Sequence, residues 1–237
     1  MTDRASSSTH RLLDVLEQLV VLPGSPGHPD ELQSVAAIVA SQMRASGLKV
    51  EQIATAGAPL IVGRRAGRSA FTMLLYHHYD VAPTGPWRAW DQDPCRVSER
   101  DGLIYGRGVA DGKGPLAAHL DAISGLLKSD GELPCGVVVV AEGDALIGSP
   151  FLGQAIVDHR GVLRGDACLA TGGGRDAAGR PFCYSGTKGL LQVRLRAEGA
   201  GHALQSGLAT SVPNPLWRLV WALSQIKSDQ EEILIDG

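Results

Sequence analysis

The apolar positions of the chain change period several times, and each change marks an element. Over residues 9–22 leucines and valines recur three to four apart, with Leu12, Leu13, Leu16, Leu19 and Val20 on one face. That spacing predicts an amphipathic helix. PGSPGHPDE reads as a loop, with Asp30 placed to cap a second helix through VAAIVASQMRASG that ends near Gly47. KVEQI and APLIVGRR are short enough and β-branched enough for strands. AFTMLLYHHYDV and CGVVVVAEG have nearly continuous apolar centres, as expected of strands buried on both faces.

Between those two strands lie a long loop, APTGPWRAWDQDPC, a strand or turn at GLIYGRG, and a helix from about Gly114 to Lys128. A helix over roughly 150–159 and a strand at GDACLA follow. Strands alternating with helices predict an α/β domain with a mixed, largely parallel sheet flanked by helices. Its active groups should sit at strand ends. After Thr187 the period shortens. LLQVRLRAEG alternates like a half-exposed strand, NPLWRLVWALSQIK is an amphipathic helix with Pro215 in its first turn, and EEILIDG reads as a strand. This is the opening of a small α+β domain, and the expected division of the chain is 1–186 and 187–237.

Composition narrows the function classes only a little. A net charge of −3 with no basic cluster argues against nucleic acid or an anionic membrane as partner. The first apolar stretch is broken by Asp14, Glu17 and Gln18, so no signal peptide is expected, and no run is long enough to span a bilayer. The four cysteines are scattered without a CxxC pair, as in a cytoplasmic protein with reduced thiols.

Two places carry chemistry. His78 and Asp80 are two apart at the end of a strand, so both can lie on one side, and a metal-bound imidazole usually gives its other N–H to such a carboxylate. Asp111-Gly112-Lys113-Gly114 sets a carboxylate in a glycine-rich turn that opens a helix. Taken singly, each also reads as structure: a hydrogen-bonded core histidine, a capping aspartate.

Taken in order, HHYDVAP, Trp90 four residues before Pro94, DGLIYGRGVADGKG, EGDALIGSP, GGGRDAAGRP and VPNPLWRLVWALS resemble the zinc aminoacylase, carboxypeptidase and dipeptidase family, peptidase family M-twenty. Its carnosinase-like branch is nearest. The resemblance runs from about residue 10 to the end. It implies two zinc ions with a shared carboxylate and water, a glutamate base, and a dipeptide or small amide as substrate. It makes His78 a zinc ligand, Asp80 the partner that orients it, and Asp111 the bridging ligand, and it makes 1–186 the N-terminal part of the catalytic-type domain and 187–237 a partial lid or dimerisation domain.

Elsewhere this sequence departs from the pattern. Where the family reads E-G-E-E-E-I-G-S-P, Ala145 stands at the general base and Leu146 at a zinc ligand. Thr171 stands where the carnosinase-like branch has an acidic ligand. Gln205 replaces the lid histidine that reaches a partner's active site, and His202, three residues earlier, is expected to point elsewhere. A late histidine ligand and the second half of the catalytic domain are not in the sequence, which reads as truncated. A catalytic zinc normally keeps three protein ligands. With His78 and Asp111 alone retained, weak or absent zinc is expected.

Three functions stay open: an inactive homologue, or pseudoenzyme, that binds or regulates; a working zinc dipeptidase or amide hydrolase completed by a partner chain; and a peptide- or amino-acid-binding module in which Arg107 and Lys113 hold a carboxylate, or serve structure. Uncovered apolar surface on the 214–227 helix predicts association, with itself as a dimer or larger homo-oligomer, or with a complementary chain.

Overall fold

A computed structural model describes residues 2–170, 172, 174–186 and 188–235. The chain forms two compact units, Met1–Phe182 and Cys183–Gly237.

In the first unit, helices α1 (Thr2–Val20) and α2 (Pro29–Ala45) precede strands β1 (Lys49–Ile53), β2 (Leu60–Arg65) and β3 (Thr72–His78). A hairpin of β4 (Ser98–Arg100) and β5 (Leu103–Tyr105) follows, then α3 (Lys113–Asp130), β6 (Gly136–Glu142), α4 (Leu152–Asp158) and β7 (Ala167–Ala170). The five-stranded sheet has the order β1-β2-β6-β3-β7. β1 pairs antiparallel with β2 and β2 with β6; β6, β3 and β7 run parallel. The mixed α/β architecture expected from the sequence is the one observed.

The four-valine run explains why β6 is central. Every residue of β6 is buried. Side chains alternate between the faces of a strand, so Val137, Val139 and Ala141 join the core under α1, α2 and α3, with Leu19, Val39 and Leu120. Val138 and Val140 join a second core with Ile53, Val62 and Ala155, Ala155 coming from α4. Two cores on one strand fix its position in the sheet and pin the register, because a one-residue slip would exchange the faces.

That register places the site. β3 and β6 run parallel with His78 opposite Glu142, so both strands end at the same edge. Tyr79, fully buried, ties the ends together: its N–H donates to the Glu142 carbonyl (2.8 Å) and its hydroxyl to the Pro59 carbonyl (2.7 Å).

Element ends differ from expectation most at the first two helices, and α1 starts at Thr2, seven residues before the apolar periodicity begins. α2 starts at Pro29 with His28 at the cap position, so Asp30 lies in the first turn, where a negative charge still favours the helix terminus. The β4–β5 turn, Asp101-Gly102, has φ of 54° and 73°, the left-handed pair that a two-residue hairpin needs.

In the second unit, α5 (Pro215–Ile226) forms where its pattern predicts, capped by Asn214, whose Oδ1 accepts from the Leu216 N–H at 2.9 Å. LLQVRLRAEG is not a strand. Residues 190–199 form neither helix nor strand, and Leu190 is 94% exposed. Alternation describes a strand that has a neighbour, and no described segment pairs with this one. EEILIDG adds one bridge, Lys227 to Ile233; its last two residues lie outside those described. α5 buries no residue, leaving Trp217 and Trp221 exposed.

Candidate active site

The ends of β3 and β6 and the turn before α3 meet at a small open pocket of about 90 Å³, lined by His78, Val81, Ala82, Arg107, Gly108, Asp111 and Leu146. His78 Nδ1 donates to the Asp80 backbone carbonyl at 2.9 Å and lies 3.2 Å from Asp80 Oδ1. Its Nε2 faces Asp111 Oδ1 at 3.3 Å. Acceptors on both nitrogens match a doubly protonated ring. The Asp80 carboxylate 3.2 Å from Nδ1 is the first cause that raises the His78 pKa to about 9; burial opposes it, and the Asp80 carbonyl and the Asp111 charge add to it.

Asp80 is fully buried and binds two elements at once. While Oδ1 faces His78, Oδ2 accepts from the Leu146 N–H at 2.8 Å. It therefore fixes the Ala145–Ile147 turn at the end of β6 against the end of β3. Asp111 is two-thirds exposed. Its turn lies against His78 because the next residue is glycine. Gly112 has φ +82°, and a Cβ there would meet His78 Cε1 at 2.9 Å and the His78 carbonyl oxygen at 3.0 Å.

The structure thus brings His78, Asp80, Asp111 and Leu146 together. Ala145 begins the same turn, half-buried, outside the pocket lining. Thr171 lies outside the described residues. Gln205 belongs to the second unit, next to a turn at Ser206–Leu208, and lines a hollow of about 350 Å³ with His202, Ser206 and Asn214.

The neighbouring acids are committed to other work. Glu142 accepts from the hydroxyls of Tyr76 and Ser149, the latter at 2.5 Å. Asp144 Oδ2 accepts from the Ala58 N–H at 2.8 Å. Neither lines the pocket. Lys113 is structural: fully buried, it donates to the carbonyls of Leu22 (2.5 Å) and Pro23 (2.9 Å), and burial lowers its pKa to about 8. Arg107 does line the pocket, with its guanidinium over the Trp90 ring at 4.9 Å and Nη2 donating to the Pro83 carbonyl at 3.1 Å.

One feature has no signal in the sequence. Buried His77 on β3 meets His119 of α3, Nε2 to Nδ1 at 2.9 Å. Burial first, then the neighbouring imidazoles His119 and His78, lower the His77 pKa to about 3.

These donors can be set against a zinc pair. Two ligands of a tetrahedral zinc lie about 3.4 Å apart, so His78 Nε2 and Asp111 Oδ1 are spaced to share one ion. The next wall is Leu146, which offers no donor. Among the described residues no group of three His, Cys, Asp or Glu side chains is placed to hold a metal ion. The donor set does not fit two ions, or the usual three protein ligands of one.

A mixed sheet with a histidine–aspartate pair and a facing carboxylate at the ends of parallel strands defines a metallopeptidase-type α/β scaffold. Comparison with known proteins gives the family. Residues 74–176 match peptidase family M20/M25/M40. The chain is 31% identical over 252 residues to the cysteinylglycine-S-conjugate dipeptidase of Corynebacterium striatum, covering 99% of this chain and 55% of that protein. It is 31% identical over 219 residues to the succinyl-diaminopimelate desuccinylase of Bordetella parapertussis (91% and 56%). Among solved structures, the M20 family metallo-carboxypeptidase of Sulfolobus solfataricus superposes with a TM-score of 0.81 at 27% identity, over 95% of this chain and 52% of that one. The chain is a member of peptidase family M20, as its motifs imply. It spans about half the length of the curated relatives it matches.

Proposed function

We propose that this chain is an M20 scaffold that does not hydrolyse peptides through its own residues, a dipeptidase relative turned to binding or regulation. The observation that carries this reading is Leu146. It occupies the wall of the pocket beside His78 and Asp111, where a third donor would have to stand. Ala145 beside it removes the base, which by itself costs about 10²–10⁴ in rate. Glu142 and Asp144 are held by other partners and do not substitute. In this reading zinc binds weakly or not at all, and Gln205 supplies no imidazole to a partner's site. The protein works in the cytoplasm, as a homo-oligomer or with a complementary chain joined through the apolar surface of the second unit, a partial lid.

The test is hydrolysis of a dipeptide panel, cysteinylglycine included, by the purified chain with added zinc, cobalt or manganese. The reading expects no rate above the buffer blank. Turnover of about 1 s⁻¹ or more, ordinary for an enzyme, would overturn it.

One observation favours a second reading, an active zinc dipeptidase completed by another chain. His78, Asp80 and Asp111 keep a ligand-ready geometry, with Nε2 and Oδ1 3.3 Å apart. Hydrolysis that appears only when a second M20 chain is mixed in would support it.

A further inference from the structure

The pocket that lacks a third metal donor carries other chemistry. It has a fixed cation, an anion with a free face, and apolar wall between them. Arg107 lines the pocket with its guanidinium held in place over the Trp90 ring and by the Pro83 carbonyl. A carboxylate meeting that guanidinium would form charge-assisted hydrogen bonds. Asp111 spends one oxygen on His78 and is otherwise two-thirds exposed. Leu146, Val81 and Ala82 supply the apolar surface.

We propose that this pocket binds a small zwitterion, a free α-amino acid with a short side chain. Its carboxylate lies on Arg107, its ammonium on Asp111, and its side chain against Leu146 and Val81. The inference rests on the reading above, that no metal pair fills the pocket. Charge decides the ligand class. An anion alone meets Asp111 and a cation alone meets Arg107, whereas a zwitterion satisfies both signs. Size agrees: about 90 Å³ equals the liquid share of roughly three waters, room for the main-chain atoms of one amino acid with its side chain at the open mouth. With so few atoms to bind, affinity falls in the millimolar range.

The experiment is a two-dimensional NMR titration of the full chain, treated with chelator, with L-alanine and then with its two blocked forms. N-acetylalanine lacks the ammonium and alanine methyl ester lacks the carboxylate. The expected result is saturable binding of alanine, at least tenfold weaker for each blocked form, and at least tenfold weaker in Asp111→Asn. Asp111 is exposed and holds no core contact, so this variant should keep the wild-type spectrum outside the pocket. No saturable binding, or equal binding of all three ligands, overturns the proposal. Zinc uptake or peptide hydrolysis would instead overturn the functional reading on which it rests, so the two failures are distinguishable.

Discussion

Replacing Asp80 with asparagine isolates the charge that organises the pocket. The amide oxygen introduced by Asp80→Asn can still accept from the Leu146 N–H, so the 145–147 turn keeps its anchor. What disappears is the carboxylate 3.2 Å from His78 Nδ1. The His78 pKa stands at about 9 against an ordinary 6.5, with the Asp80 hydrogen bond as the first cause. At about 1.4 kcal/mol per unit the difference is worth about 2–3 kcal/mol of stability, the lower figure allowing for the ring edge that faces the open pocket. The sign follows from proton uptake. The folded pKa is the higher one, so the stabilisation is complete below pH 6.5 and is lost as pH rises to about 9. The assay is an NMR titration of the histidine ring protons in chelator-treated protein, with urea unfolding at about pH 6 and about pH 9.5. Wild type should show one histidine titrating near 9 and should lose about 2–3 kcal/mol across the interval. Asp80→Asn should return that histidine to about 6.5 or below and flatten the loss. A His78 that titrates near 6.5 in wild type, or is unmoved by the substitution, refutes the account of the pocket.

Three further variants probe the pocket and the strand behind it. Ala145→Glu with Leu146→Glu should raise zinc affinity at least tenfold by calorimetry, because the second glutamate enters the pocket beside His78 and Asp111. Gly112→Ala should cost about 1–3 kcal/mol in denaturant unfolding, since the residue is held at φ +82° against His78. His77 has a folded pKa near 3, so the unfolded chain takes up the proton first. Its contribution is present above about pH 6.5 and is lost as pH falls towards 3, at about 1.4 kcal/mol per unit. His77→Gln should remove that part of the acid slope in melts at stepped pH.

Patterns confined to one element were legible in the sequence; contacts between elements were not. The valine run of β6 announced a strand buried on both faces, because β-branched residues at successive positions leave no polar side. The two-residue spacing of His78 and Asp80 was enough to predict their contact, although β3 ends at His78 and the contact closes just beyond it. The His77–His119 pair joins residues 42 apart and leaves no local trace. That Asp80 holds the Leu146 N–H depends on parallel pairing of β3 with β6, which periodicity does not give. The alternation over 190–199 misled for a related reason: period two reports a strand's faces, while its existence depends on a neighbour.

In the proposed function, Leu146 and Ala145 leave this M20 pocket without a metal pair. The most direct measurement is a native mass spectrum of the purified chain in excess zinc, which reads bound metal and assembly together. The expected result is a chain mass without two zinc ions, unchanged by Asp111→Asn. Two zinc ions per chain, lost on that substitution, would contradict it.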